Sequence, residues 1–472
     1  MIPGGITKKY TAMKKLMLCL LGLTILRFSA SASHNRTAEI TYLQVDAYTI
    51  DCSLVTYTNA ISTAASRDSL ELQWGDGTST WIHRVNGPDA DNNSIPDGEI
   101  LANNYQRNVY RAQHRYADWG TYTIALFDDN RQQGIVTLNP PNSDHIPMYV
   151  ETEFVLGPEL NHSPQLLQAP VDIAYAGRRF VHTPVAFDPD GDSTSYRLIR
   201  PQMMPDQDVP NYSFPNQVNG APPSALVLDT ETGLLVWEVP TWTGVYSIAY
   251  EITSHRNGQV RGRLIRDLII IVQDGEWPLP SLDVAPPPGG IQSVEVGDTV
   301  RLELSANVEE FPFNQELVLS TRSGLDDFFQ TRPSFDFTRV SDREGRASFT
   351  WIVEQEHVRG QPYDLVFRAQ DGTELANYLV LRYRVEGIVS AQREPVVPDP
   401  IRIFPNPASD WLVVEGARTA SYLIWDAGGR IVQRGRLEPG QPIGISGLVA
   451  GAYFLRVEGR GSQAFLKNGG VR

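Results

Sequence analysis

Apolar residues along this chain tend to recur at every second position, as in the run Tyr246, Ile248, Tyr250, Ile252. A period of two belongs to a strand with one face in a core, because successive side chains point to opposite faces of a sheet. No long stretch places apolar residues at i, i+3, i+4 and i+7, so few helices are expected. With 38 Gly and 33 Pro, turns should be many. The pattern predicts an all-β chain, and 472 residues suffice for about three or four domains of roughly 100 to 150 residues each.

One strand signature recurs: WGTYTIAL (119–126), WTGVYSIAY (242–250), RGQPYDLVFRAQD (359–371) and VAGAYFLRV (449–457). Each sets a Gly shortly before a Tyr that opens an alternating strand. Tyr122, Tyr246, Tyr363 and Tyr453 are separated by 124, 117 and 90 residues, a spacing that suits consecutive β-sandwiches of ~100 residues. Pro-rich stretches at 140–147, 277–290 and 394–407 fall between or beside the repeats, where semi-rigid extended linkers belong. The expected division is 1–32, 33–158, 159–276, 277–388, a linker at 389–400, and 401–472.

The first of these segments differs in kind. Lys14 and Lys15 precede the apolar run Leu16–Leu26, and Ala30 and Ala32 then form an A-x-A cleavage site. This is the build of a secretory signal peptide, starting at Met1 or Met13, with an apolar run too short to span a bilayer. No later membrane span is expected. Cleavage after Ala32 leaves 35 basic against 55 acidic residues, a net −20. Such a chain repels phosphate backbones, so nucleic acid is not an expected partner. Cys52 is then the only cysteine, so no internal disulfide holds the domains, and it reads as a small buried side chain.

Four resemblances refine this division. In residues 33–158, LQWGDGTSTW with Trp74, Gly75, Asp76, Gly77 and Thr78, followed by HRYADWGTYTIAL with His114, Tyr116, Gly120 and Tyr122, resembles the PKD-type β-sandwich. In residues 159–276, AFDPDGDSTSYRL and LVLDTETGLLVWEVPTWTGVYSIAYEIT resemble a cadherin-like or bacterial Ig-like repeat, with Asn257 and Gly258 as a type I′ hairpin turn. Residues 277–388 read as a third Ig-like sandwich. PVDIAYAGRRFVHTPVAFDPDGDS and RNGQVRGRLIRDLIIIV in residues 159–276, and VEVGDTVRLELSA in residues 277–388, are similar to stretches of large surface proteins of Bacteroidota-type bacteria. Residues 401–472 contain, in order, FPNP (Pro405, Asn406, Pro407), D-x-G-G-R (Gly429), L-x-x-G-x-Y (Gly451, Tyr453) and the near-terminal Lys467. They resemble the type A C-terminal sorting domain of the type IX secretion system. That resemblance implies the secretion machinery as a partner, export across the outer membrane, and cargo that is released or attached at the surface.

Candidate chemistry is sparse. DPDGD sets Asp188, Asp190 and Asp192 at alternating positions around a turn, the hard oxygen ligands that calcium takes; turn formation alone explains the same residues. Asp89, Asp91, Asn93 and Asp97 occupy positions 1, 3, 5 and 9 of a calcium-loop-like pattern, with Ser94 and Ile100 where Gly and Glu belong. Calcium is therefore the one cofactor to test. Trp237, Trp242 and Trp277 offer flat faces for sugar stacking if they face outward, against core filling if they do not. His114 reads as a structural residue of the first sandwich. The motifs H-E-x-x-H, G-x-S-x-G and G-x-x-x-x-G-K-[ST] do not occur, and no carboxylate pair is singled out by spacing. The expected function is a non-catalytic surface or secreted binding protein of adhesion type, with an extracellular glycan or protein ligand at the sandwich ends. The alternatives are a structural component of a surface layer or appendage, and a secreted hydrolase with an unrecognised site.

Overall fold

The computed structural model describes residues 35–60, 67–89, 93–101, 105–129, 131–138, 143–218, 220, 222–275, 277–286, 289–309, 316–372, 374–387, 403–415, 419–426, 431–457 and 460–468. The expected leader, Ala30 and Ala32 among it, lies outside them, as do Asp91 and Gly429. The fold is all-β. Among the described residues no helix is long and apolar enough to cross a membrane.

The first sandwich packs a four-stranded sheet against part of a larger one. The small sheet runs Asn35–Gln44, Thr49–Asn59, Tyr105–Arg115, Glu99–Leu101. Facing it are Ser79–His83, Ser69–Gln73, Gly120–Asp128 and Met148–Leu156, with Ile40, Leu54, Leu72, Trp74, Ile124 and Phe154 in the core between. Cys52 is buried there, and burial pushes its thiol pKa well up, so it acts as a small apolar group.

The larger sheet does not stop at the first unit. Met148–Leu156 pairs along its whole length with Gly120–Asp128 and also, at Thr152–Phe154, with Gly262–Leu264 of the strand Gln259–Gln273. That strand forms a long hairpin with Gly244–Arg256. Its turn residues Asn257 and Gly258 have φ of 53° and 77°, the left-handed pair that a type I′ turn requires. One sheet thus serves both units, and the expected boundary after residue 158 follows directly on a shared strand. Beneath the hairpin, Trp237, Tyr246, Ile248, Tyr250, Ile252, Leu268 and Ile270 form the second core.

The third sandwich packs two four-stranded sheets around Phe349, Trp351, Tyr363 and Phe367. The second unit intrudes on it: Phe187 belongs to the third core, and a Cβ on Gly324 would collide with its ring at 2.0 Å. A buried polar chain reinforces this contact. Asp172 accepts hydrogen bonds from Tyr378 Oη at 3.0 Å and pairs with His182 Nδ1 at 2.9 Å, while Arg368 Nε donates to Tyr378 Oη at 3.0 Å. The separate sandwiches expected from sequence are joined here into one block by a shared sheet and a shared core.

The recurring tyrosines now have a physical role. Tyr122, Tyr246 and Tyr453 each donate from Oη to a backbone carbonyl four residues upstream, at 2.8, 2.8 and 2.9 Å. Tyr363 reaches the His357 carbonyl at 2.8 Å. These are tyrosine corners, which close the entry to a late sandwich strand. Gly120 and Gly451 lie under the rings of Tyr122 and Tyr453, where an added Cβ would sit 3.7 and 3.8 Å from ring carbons.

Candidate functional site

The turn at 188–192 is wired by its own first residue. Asp188 Oδ1 accepts the backbone N–H groups of Asp190 and Asp192 at 2.9 and 3.2 Å, and Gly191 supplies the φ of 80° that the turn needs. Folding brings the three expected carboxylates together, with ligand oxygens all within 4.8 Å of one another. Asp188 and Asp192 are buried.

Two partners that sequence reading missed complete the group. Arg256, from the end of the long hairpin, donates from Nε and Nη2 to the two oxygens of Asp192 at 2.6 and 3.0 Å, and its Nη2 lies 3.1 Å from Asp190 Oδ2. His162 donates its backbone N–H to Asp190 Oδ2 at 2.6 Å, and its Nδ1 sits 2.7 Å from Asp190 Oδ1. The guanidinium therefore occupies the place between Asp190 and Asp192 that a cation would take, and the carboxylates hold its pKa above the ordinary value. Asp188 Oδ2 is left buried without a hydrogen-bond partner. Burial, followed by the charges of Asp192 and Asp190, pushes its carboxyl up to about 7. No local sequence signal links residues 162 and 256 to this turn; only the long-range strand pairing does.

The carboxylate turn opens onto the cleft between the second and third sandwiches, lined also by Arg359, Asp364, Arg382 and Glu231. Arg382 bridges the two units, 3.1 Å from Asp364 and 2.5 Å from Glu231. Burial pushes Asp364 up to about 6 against the pull of Arg382.

The other acidic loop is held differently. Asp89 accepts the N–H groups of Asn93 and Ser94 at 3.1 and 3.0 Å, and Ser94 has a φ of 73° where a calcium loop carries Gly. Asn93 binds Asp68 at 3.0 Å, and Asp97 faces the buried Arg84 at 3.7 Å. Asp89, Asn93 and Asp97 thus have protein partners.

The tryptophans separate sharply. Trp237 fills the second core, edge-on to Tyr246 at 5.1 Å, so it is closed to a sugar. Trp277 packs beside Ile173, Tyr175 and Leu375. Trp242 is 51% exposed, but Trp81, unremarked in the sequence, is 63% exposed. His114 stacks on Trp74 at 4.5 Å and pairs with Asp76 at 2.8 Å, bracing the G-D-G turn.

In the last unit, Ile403–Phe404, Trp411–Val414 and Ile443–Gly444 form a small sheet beside the four-stranded one. The FPNP corner is tied to the final strand: Asn406 Oδ1 accepts the Leu466 N–H at 2.9 Å, and Ala408 exchanges backbone bonds with Leu466 and Asn468 at 2.8 Å each. Pro405 and Pro407 flank this tie, Lys467 donates to the Asn468 carbonyl at 2.9 Å, and Gly451 opens the strand that carries Tyr453.

These features define an all-β, multi-sandwich protein whose terminal unit is a self-contained module built around FPNP. Residues 402–467 match the secretion system C-terminal sorting domain. The protein is exported by type IX secretion to the cell surface or beyond. No curated protein matches the chain. Among solved structures, the complex of Dpr2 Ig1-Ig2 with DIP-Theta Ig1-Ig3 is 12% identical over 48% of this chain and 100% of that one, with a TM-score of 0.21. The protocadherin GammaB4 extracellular domain is 12% identical over 84% and 60%, at 0.18. BcpA, the major pilin subunit of Bacillus cereus, is 10% identical over 63% and 93%, also at 0.18.

Proposed function

We propose that this is a non-catalytic binding protein of adhesion type, in which the sorting domain carries a block of three sandwiches to the outside of the cell. The observation that supports this most is the joining of the three units. A continuous sheet and a buried interface set their surfaces in a constant relation, as a receptor for an extended extracellular ligand needs. The PKD-type turn and the cadherin-like second unit, in a chain similar to surface proteins of Bacteroidota-type bacteria, favour the same reading. Incubating the exported protein with polysaccharides from its surroundings tests it. Retention without new reducing ends is expected, whereas steady release of reducing ends would make the protein a hydrolase.

For the DPDGD turn we propose an internal ion-pair hub in which Arg256 serves as the cation. Saturating Ca²⁺ should leave the unfolding midpoint equal to that in chelator. A bound ion at ~100-fold excess over its Kd would add about 2.7 kcal/mol, and a shift of that size would return the turn to calcium.

A further inference from the structure

The outward face of the shared sheet is covered at one end and open at the other. Ile269 and Ile271 lie beneath Val209, Tyr212 and Phe214. Toward the edge strand Ser79–His83 the face is open. Register places Trp81 opposite Glu71, Gln73 opposite Ala125, and Phe127 opposite Tyr149. Alternation along the strands then sets Trp81, Glu71 and Phe127 in one row. Their neighbours Ile82, Leu70, Leu72 and Leu126 turn the other way, into the first core. Trp81 is 63% exposed and Phe127 39%.

Trp81 and Phe127 lie two strands apart, a separation of ~10 Å at the usual interstrand spacing. Between them stands the Glu71 carboxylate, one oxygen of which accepts from Ser79 Oγ at 2.6 Å, and Gln73 is exposed beside it. Farther across the same face a polar ladder continues, from Glu151 to Arg263 at 3.1 Å, Arg263 to Glu251 at 3.5 Å and Glu251 to Arg197 at 2.7 Å.

The centre of a protein-binding patch is depleted of charge; here a carboxylate separates the two aromatic rings. A sugar chain has the complementary form. Each pyranose offers a flat C–H face for an aromatic ring and a rim of hydroxyls for carboxylate and amide groups. Alternate rings of an extended chain also fall at a spacing that suits Trp81 and Phe127. The formal net charge of −15 disfavours an acidic polymer.

We propose that the row Trp81, Glu71 and Phe127 binds an uncharged polysaccharide lying across the strands, with two of its rings on the aromatics and its hydroxyls on Glu71 and Gln73. This rests on the binding-protein reading and assigns it a ligand class and a site.

Native affinity electrophoresis of the full exported chain tests it, with gels containing xylan, glucomannan, a soluble β-glucan or polygalacturonate. At least one of the three neutral polymers should retard the protein. Trp81→Ala and Phe127→Ala should each weaken that retardation at least tenfold, with unchanged melting temperatures, while Trp242→Ala should leave it intact. Retardation that survives both substitutions, or that is lost with Trp242→Ala, sinks the site but leaves the binding reading standing. Retardation by polygalacturonate alone, or by none of the polymers, overturns the ligand class. So does capture of a protein that Trp81→Ala abolishes. Shortening of the polymer in the gel would overturn the binding reading itself.

Discussion

Tyr246 shows how much one hydroxyl contributes to a strand entry. Its Oη holds the Trp242 carbonyl while its ring fills the second core. Tyr246→Phe keeps the ring and loses the bond, so it should destabilise the block by about 1 kcal/mol in a denaturant titration, with an unchanged m-value. Arg256 carries more, because Asp192 has nowhere else to place its charge. Arg256→Met should cost about 3 kcal/mol, the scale for stranding one member of a buried pair. A loss below about 0.5 kcal/mol would show that the pair is solvated in solution. At this scale the sequence was partly legible. The Gly-then-Tyr recurrence and the Asn257-Gly258 turn are local, and both could be read from the chain. Arg256 and His162 could not, because they meet the DPDGD turn only after distant strands have paired. Trp81 carries a local signal: in STWIH it alternates with Ile82, which points inward, so it belongs to the outer face.

At the scale of elements, the strand Met148–Leu156 decides the architecture. Its sequence MYVETEFVL alternates as a one-sided strand should, but nothing in that alternation says that both of its edges will be paired. The expected boundary after residue 158 keeps this strand in the first unit, and its second edge pairs with a strand of the second. The seam between the second and third sandwiches supplies a pH test. Burial raises the folded pKa of Asp364 to about 6, against about 4 for an ordinary aspartate, so the folded chain holds this proton more tightly than the unfolded one. The resulting stabilisation is complete below pH ~4 and is lost as pH rises through about 6, by about 3 kcal/mol. Asp364→Asn should flatten that part of the stability profile; an unchanged slope would remove Asp364 as its cause.

For the whole molecule, the three sandwiches should unfold as one. Phe187→Ala removes the ring that the second unit sends into the third core and should cost about 3 kcal/mol. Calorimetry of the variant should show the third sandwich melting ahead of the other two, where the parent gives a single transition for the block. The sorting domain has its own core of Ile403, Leu412, Ile424, Tyr453, Leu455 and Phe465, and should melt separately. Its ordered motifs were legible because they are local and closely spaced, whereas the face proposed to bind sugar was not, because it is assembled from strands with no common motif.

The most direct test of the whole account is where the protein goes. Cells making the full chain should be fractionated beside cells making a chain that lacks residues 402–467, and the protein measured in periplasm, surface and medium. The full chain is predicted outside the outer membrane and the truncated one inside it. Equal distribution of the two would contradict the assignment of export to the terminal module.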